Sequence, residues 1–314
     1  MVFFRYFTFI FLVLSVRFAT AATTENDITI CTQNEALQQC IDNAKTNIIS
    51  LSSGIHETSG IFISSNQTFI VPDGSTLKLA DDAVLNGEAF GGDANFVIAS
   101  IGKPNQLVSN VHIIINGEID GNKDVHVYEK GGVEGIDWKW VENSTISGSG
   151  VVHSANGDGI DLDAVHNIQI SDITVKDNGD SGIHFGSPRP IMPSTNNVVI
   201  GVTSINNGFR VGKSGFDLSW PNPDGVVYIN CTAVDNYRNF KIEAAGGAVY
   251  NSHSIDSGKV KKVDDLSGAD YAIINGKNVT NKKLVSVKTK ILMKRDVKKF
   301  LQMDYHEYLD GINY

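Results

Sequence analysis

Five residues recur at one position of a repeated phrase, and their types suit acid–base chemistry. Asp137, Asp161, His184, Asp217 and Lys241 each follow an apolar residue, in order Ile136, Ile160, Ile183, Phe216 and Phe240. Two positions further on stand Lys139, Asp163, Gly186, Ser219 and Glu243. A carboxylate gives or takes a proton usefully once its pKa is displaced, and an imidazole between two carboxylates can set the state of either. Carboxylates, an imidazole and amines in one patch perturb one another's pKa values. The bland alternative is a ladder of solvated or ion-paired acids. Asp161, Asp217, His184 and Lys241 are therefore candidate catalytic groups, and Asp137, Asp163 and Glu243 are candidate substrate contacts.

The elements that place these residues are read from the spacing. The apolar marks lie 24, 23, 33 and 24 residues apart, so one supersecondary unit repeats. Short β-rich runs such as Ile48–Leu51, Thr68–Val71 and Val111–Ile115 alternate with Gly, Asn and Asp, and no long helix separates them. Val198, Ile200, Val202 and Ile205 match Val227, Ile229, Cys231 and Val234 in order, and these positions are expected to face an apolar interior. Asp177, Asn207 and Asn236 recur just after each run, where a turn with unusual dihedrals suits Asx side chains. Parallel strands coiling at about 4.8 Å per coil follow. The 33-residue interval holds Gly186-Ser-Pro-Arg-Pro-Ile-Met-Pro, whose prolines stiffen an insertion with Arg189 at its tip, placed to meet an anionic group on a ligand. Trp138, Trp140 and Trp220 lie near the column, the inward ones as core.

The coil is expected over residues 47–257. Residues 22–46 are expected to cap its open end. Thr32-Gln-Asn-Glu35 has the form of a capping box before Ala36, Leu37, Cys40, Ile41 and Ala44 at helical spacing. From 258 to 314 the pattern fades into a basic C-terminal cap or tail, where Val297, Phe300 and Leu301 suggest one short amphipathic helix.

These residues resemble the right-handed parallel β-helix superfamily typified by pectate and pectin lyases, polygalacturonases and alginate epimerases. The likeness rests on the rung pattern, the helix cap and phrases such as Gly117-Glu-Ile-Asp-Gly-Asn-Lys. It implies an all-β, single-stranded, right-handed parallel β-helix with an N-terminal capping helix, and a polysaccharide as substrate. Asn156-Gly-Asp158 is similar to the Asn-Thr-Asp rung of polygalacturonases, and Asp180-Ser181 keeps half of their Asp-Asp rung. Lys241-Ile-Glu243 stands where Arg-Ile-Lys would be, and Gly-His-Gly is missing. Gly159-Ile-Asp161 followed by Asp177-Asn-Gly resembles the epimerases, whose Asp-Pro-His becomes Asp161-Leu-Asp163.

On such a coil Asp137 and Asp161 would lie about 5 Å apart, near the spacing of retaining glycosidases. Asp161 and Asp217, two coils apart, would lie about 9.6 Å apart, at the upper end of the inverting range. Hydrolysis is slightly favoured, because carboxylates outnumber bases. The alternative is elimination or C5 epimerisation of a uronate polymer, with Lys241 as base, Tyr237 or Arg238 beside it, and Ca²⁺ held by Asp137, Asp161 and Asp163. A third reading is a non-catalytic glycan-binding or cell-surface coil.

The remaining signals concern compartment and partners. Arg5, an apolar run from Tyr6 to Val16 and Ala19-Thr-Ala21 form a signal peptide over residues 1–21, and nothing later is apolar for the 18 residues a membrane span needs. Asn66, Asn143, Asn230 and Asn278 each open an Asn-x-Thr triplet, the acceptor for N-glycosylation. A secreted protein follows. Cys31 and Cys40 flank a short segment and could bridge, while Cys231 falls on an inward position. Residues 22–257 hold 12 Lys+Arg against 28 Asp+Glu, a charge that repels nucleic acid and anionic membranes.

Overall fold

The computed structural model describes residues 28–33, 36–85, 94–126, 132–186, 194–219, 223–244 and 246–279. The expected leader, Arg189, Trp220 and the expected amphipathic helix around Phe300 lie outside the described residues. Strands stack in parallel from coil to coil and form three walls around one interior. One wall runs from Thr29–Cys31 through Ile48–Leu51, Thr68–Val71, His112–Ile115, Thr145–Ser147, Gln169–Ser171 and Ser194–Ile200 to Pro223–Ile229, Gly247–Ile255 and Ala269–Ile274. A second holds Gly54–Thr58, Ser75–Leu79, Glu118–Asp120, Val151–His153, Thr174–Lys176, Thr203–Ile205 and Thr232–Val234.

The third wall positions the candidate site. It is a seven-stranded parallel sheet of Ile61–Phe62, Ala94–Ile101, Gly132–Lys139, Ile160–Asp163, Ile183–Gly186, Phe216–Leu218 and Phe240–Ile242. Its alternation is strict. Ile136, Trp138, Ile160, Leu162, Ile183, Phe185, Phe216, Leu218, Phe240 and Ile242 all point inward and are fully buried. Ile136, Ile160 and Ile183 stack in one file, and the Phe216 and Phe240 rings that continue it lie 5.1 Å apart and nearly parallel. Trp138 belongs to this core, whereas Trp140 is half-buried at a corner.

The coil is longer at both ends than the 47–257 expected. Thr29–Cys31 already pairs in parallel with Ile48–Leu51, and Ala269–Ile274 pairs in parallel with Gly247–Ile255. The capping helix is shorter than expected. It spans Leu37–Asp42 with Ala36 as its N-cap and no side-chain cap, so the Thr32–Glu35 box does not start it. Leu37 and Ile41 enter the core, and the Cys31–Cys40 disulfide ties the helix to the first strand. Cys231 is a buried free thiol. Among the described residues no helix is long and apolar enough to cross a membrane.

Two details of phase differ from expectation. The register Val198↔Val227 and Ile200↔Ile229 holds, but Val199 and Tyr228 fill the interior. Val198-Val-Ile200 is an unbroken apolar run, from which alternation cannot be phased. The recurring Asx residues are also two columns, not one. Asp177, Asn206 and Asp235 take the left-handed corner, with φ of 56°, 54° and 52°. The next residues, Asn178, Asn207 and Asn236, turn inward as a buried ladder. Asn207 Oδ1 accepts from the Asn178 N–H at 2.9 Å, and Asn236 Oδ1 accepts from the Asn207 N–H at 2.9 Å. Each amide thus satisfies the backbone of the neighbouring coil at a corner where no strand can.

Candidate active site

The outward residues of the third wall form one column in register. Asp137 pairs with Asp161, Asp161 with His184, His184 with Asp217, and Asp217 with Lys241. The centre of the column is a hydrogen bond, in which His184 Nδ1 donates to Asp161 Oδ1 at 2.8 Å. Asp158 Oδ2 lies 3.5 Å from the same nitrogen. Burial alone would raise the Asp161 carboxyl, but the His184 hydrogen bond and charge, with Lys139 behind them, outweigh it and hold it below 3.8. Burial likewise opposes the His184 charge, yet Asp161 and Asp158 push the imidazole up to about 10. The pair is therefore an imidazolium beside a carboxylate.

The acids around this pair behave differently. Burial pushes Asp163 up to about 7, and the charge on Asp161 adds to it. Burial pushes Asp158 up to about 7 against the pull of His184. Burial also raises Glu134 well above the carboxylate range, with Asp158, Asp161 and Asp137 adding to it. Glu134 accepts from the Asp158 N–H, and Asp158 accepts from the Ser181 N–H. One ionised carboxylate thus stands among acids poised to keep their protons, a separation of roles that acid–base catalysis requires.

The ends of the column, expected as a substrate contact at Asp137 and a catalytic group at Asp217, are buried. Asp137 is 1% exposed and Asp217 is 0% exposed. Lys139 folds back on the first, Nζ 3.2 Å from Asp137 Oδ2, and burial pushes that carboxyl up to about 7. Lys241 folds back on the second, 3.5 Å from Asp217 Oδ1, and also reaches Glu243 at 3.1 Å. Ser219 Oγ donates to Asp217 Oδ1 at 2.6 Å. Asp137 and Asp217 are thus counter-charges behind the column, with no surface for a substrate to meet. Asp163 is different: it is half-buried and faces Gly186 on the next strand. A Cβ at Gly186 would come within 2.5 Å of Asp163 Oδ1 and 2.8 Å of His184 Cε1, so the glycine leaves open the space before both groups.

Tyr237 and Arg238 are not brought to the column. Tyr237 packs edge-on against Phe209, ring centres 6.0 Å apart, and Arg238 lies 3.9 Å from Asp265. Asp158, Glu134, Asp180 and Arg210 join the site instead. Arg210 donates to Asp180 Oδ2 at 2.6 Å, beside an open cleft of about 490 Å³ that Asn156, His126 and Phe209 help to line. Asp158 and Asp180 precede the strands rather than sit on them, so counting outward strand positions passes over both. Asn156-Gly-Asp158 and Asp180-Ser181, the phrases similar to polygalacturonase rungs, were the available signal.

No protein-family model and no curated protein matches this sequence. Solved structures do. The polygalacturonase from Erwinia carotovora ssp. carotovora superposes with a TM-score of 0.52 at 15% identity, over 78% of this chain and 81% of that one. A mannuronan C-5 epimerase A-module from Azotobacter vinelandii matches at 0.42 and 17%, over 77% and 78%. A surface adhesin of Streptococcus pneumoniae matches at 0.48 and 12%, over 70% and 56%. The fold is the right-handed parallel β-helix of the pectin-lyase-like proteins. At these identities the likeness concerns the fold, which hosts unrelated chemistries.

Whether this β-helix suits Ca²⁺ is decided by its donors. Among Asp137, Asp161 and Asp163, the Lys139 ammonium already supplies the positive charge, and all three acids interact with it. Among the described residues, the groups whose ligand atoms converge within 4.8 Å are Asp158, Asp161 and His184. They include an imidazolium whose Nδ1 is spent on Asp161. Ca²⁺ takes six to eight oxygens, so neither set fits it.

Proposed function

We propose that this β-helix is a secreted enzyme that hydrolyses glycosidic bonds of a polysaccharide, with Asp161 as base and Asp163 as acid. The observation that carries this reading is the 2.8 Å His184–Asp161 hydrogen bond, which keeps one carboxylate ionised next to another held near 7. The two lie two residues apart on one strand face, about 6.7 Å by strand rise, at the lower end of the inverting range. Asp163 gives its proton to the leaving oxygen as the bond to the anomeric carbon breaks. Water forms the new bond from the opposite side and yields a proton to Asp161. His184 stays charged throughout and fixes Asp161 in place. One structural likeness is to a polygalacturonase, which supports a polysaccharide as the substrate class. The Cys31–Cys40 disulfide supports an oxidising compartment. Elimination is less well supported, since Lys241 is engaged by Asp217 and Glu243.

The test is product analysis on polygalacturonate, alginate and neutral glycans with the wild type, Asp161→Asn and Asp163→Asn. Hydrolysis predicts new reducing ends of inverted configuration, and loss of at least about a hundredfold in rate in either variant. Unchanged turnover in both variants removes the assignment. Unsaturated products would mean elimination, and binding without turnover would mean a glycan-binding coil.

A further inference from the structure

Three asparagine pairs on the outer corners of the coil share one asymmetry. Asn66 Oδ1 accepts from Asn110 Nδ2 at 3.0 Å, Asn143 Oδ1 from Asn167 Nδ2 at 3.0 Å, and Asn230 Oδ1 from Asn251 Nδ2 at 2.9 Å. All six residues have φ between 47° and 64°, a corner that favours asparagine in either member. Only the accepting members are followed by a hydroxyl two residues on, at Thr68, Thr145 and Thr232. The donating members are followed there by His112, Gln169 and His253. Corner geometry explains the asparagines in both positions. It does not explain why the threonine occurs only beside the amide whose Nδ2 makes no hydrogen bond among the described residues.

We propose that Asn66, Asn143 and Asn230 carry N-linked glycans, each on the free nitrogen of a corner pair. All three are exposed. Their attachment needs a lipid-pyrophosphate-linked oligosaccharide as donor. The amide Nδ2 bonds to the anomeric carbon, the bond from that carbon to the pyrophosphate oxygen breaks, and one amide proton leaves with the lipid pyrophosphate. Oδ1 stays a carbonyl oxygen, so each corner hydrogen bond survives the modification. Asn66 and Asn143 sit two coils apart at the corner leading into the first wall, and Asn230 sits at the next corner. None is on the acidic wall, and the inference stands whether or not that wall is catalytic.

The experiment is to produce the full chain with its own leader in a eukaryotic secreting host and map its peptides. Samples are compared before and after enzymatic deglycosylation in heavy-oxygen water. The expected result is Asn→Asp conversion with heavy oxygen at all three positions, and loss of each mark in the matching Thr68→Val, Thr145→Val or Thr232→Val variant. The deglycosylated Thr68→Val and Thr232→Val proteins should melt close to the deglycosylated wild type, because the corner acceptor survives as an Asn Oδ1 in the variant and as an Asp carboxylate oxygen in the wild type. Unmodified Asn66, Asn143 and Asn230 in the secreted protein, or a chain retained in the cytosol, would overturn the proposal.

Discussion

Replacing His184 by alanine tests the electrostatic logic of the site most directly. Asp137, Asp161 and Asp163 share one buried surface, and burial pushes Asp137 and Asp163 to about 7. Asp161 differs in receiving the 2.8 Å hydrogen bond from His184 and lies below 3.8 for that reason. Without the imidazolium, Asp161 should rise toward its neighbours, by at least about three pKa units. At about 1.4 kcal/mol per unit, this is roughly 4 kcal/mol of lost preference for the ionised base. At pH 5 the base would then be ionised in about one molecule in a hundred, and kcat/KM on the glycan that wild type cleaves should fall about a hundredfold. At pH 8 the ionised form returns and much of that loss should disappear. The assay is a pH–rate profile from pH 4 to 9 for wild type and His184→Ala, with folding checked by circular dichroism. Wild type should lose activity above about pH 7 as Asp163 deprotonates, and the variant should acquire an additional acid limb near 7. A variant equally slow at every pH would show that His184 does not act by holding Asp161 ionised.

Gly186→Ala would drive a methyl against Asp163 Oδ1 and the His184 ring, so turnover should fall at least tenfold while the melting temperature changes little; unchanged turnover would place the substrate elsewhere. Asn207→Ala strips the acceptor from the buried Asn178 N–H and the donor from Val175 O, at a cost of about 3 kcal/mol in chemical denaturation. A loss under 1 kcal/mol would mean the ladder is not structural. Glu134→Gln keeps an acceptor for the Asp158 N–H but removes a carboxyl that burial raises well above 4.5. Such a group stabilises fully below 4.5 and loses its contribution as pH climbs toward its folded value. The variant should therefore melt with wild type at about pH 4 and above it at pH 8, and the reverse order would contradict the shift.

The column was legible because strand alternation has a period of two and the coil repeats in register. Once Ile136, Ile160, Ile183, Phe216 and Phe240 were phased as inward, Asp137, Asp161, His184, Asp217 and Lys241 had to face out together. Facing out of a coil is not the same as facing water. Whether Asp137 and Asp217 meet solvent depends on how Lys139 and Lys241 fold back, and rotamers are not written in a repeat. The corner residues Asp158 and Asp180 have no periodicity to betray them, because corners are irregular by construction. Val198–Ile200 failed for the opposite reason: three apolar residues in a row carry no phase.

Burying this much charge on an outer face would destabilise the coil unless the charges were matched along it. Three of the acids each meet a cation: Asp137 meets Lys139, Asp161 meets His184 and Asp217 meets Lys241. The two ends are closed by lysines, whose long flexible arms cover the carboxylates they pair with. The middle is closed by an imidazole, which is short and rigid and reaches Asp161 without covering the residues beside it. Asp158 and Asp163 are drawn into the same field, and burial lifts both toward 7 against the pull of His184. A lysine at position 184 would seal the centre as it seals the ends. In the proposed hydrolysis, the histidine is what leaves a proton donor and an ionised base side by side.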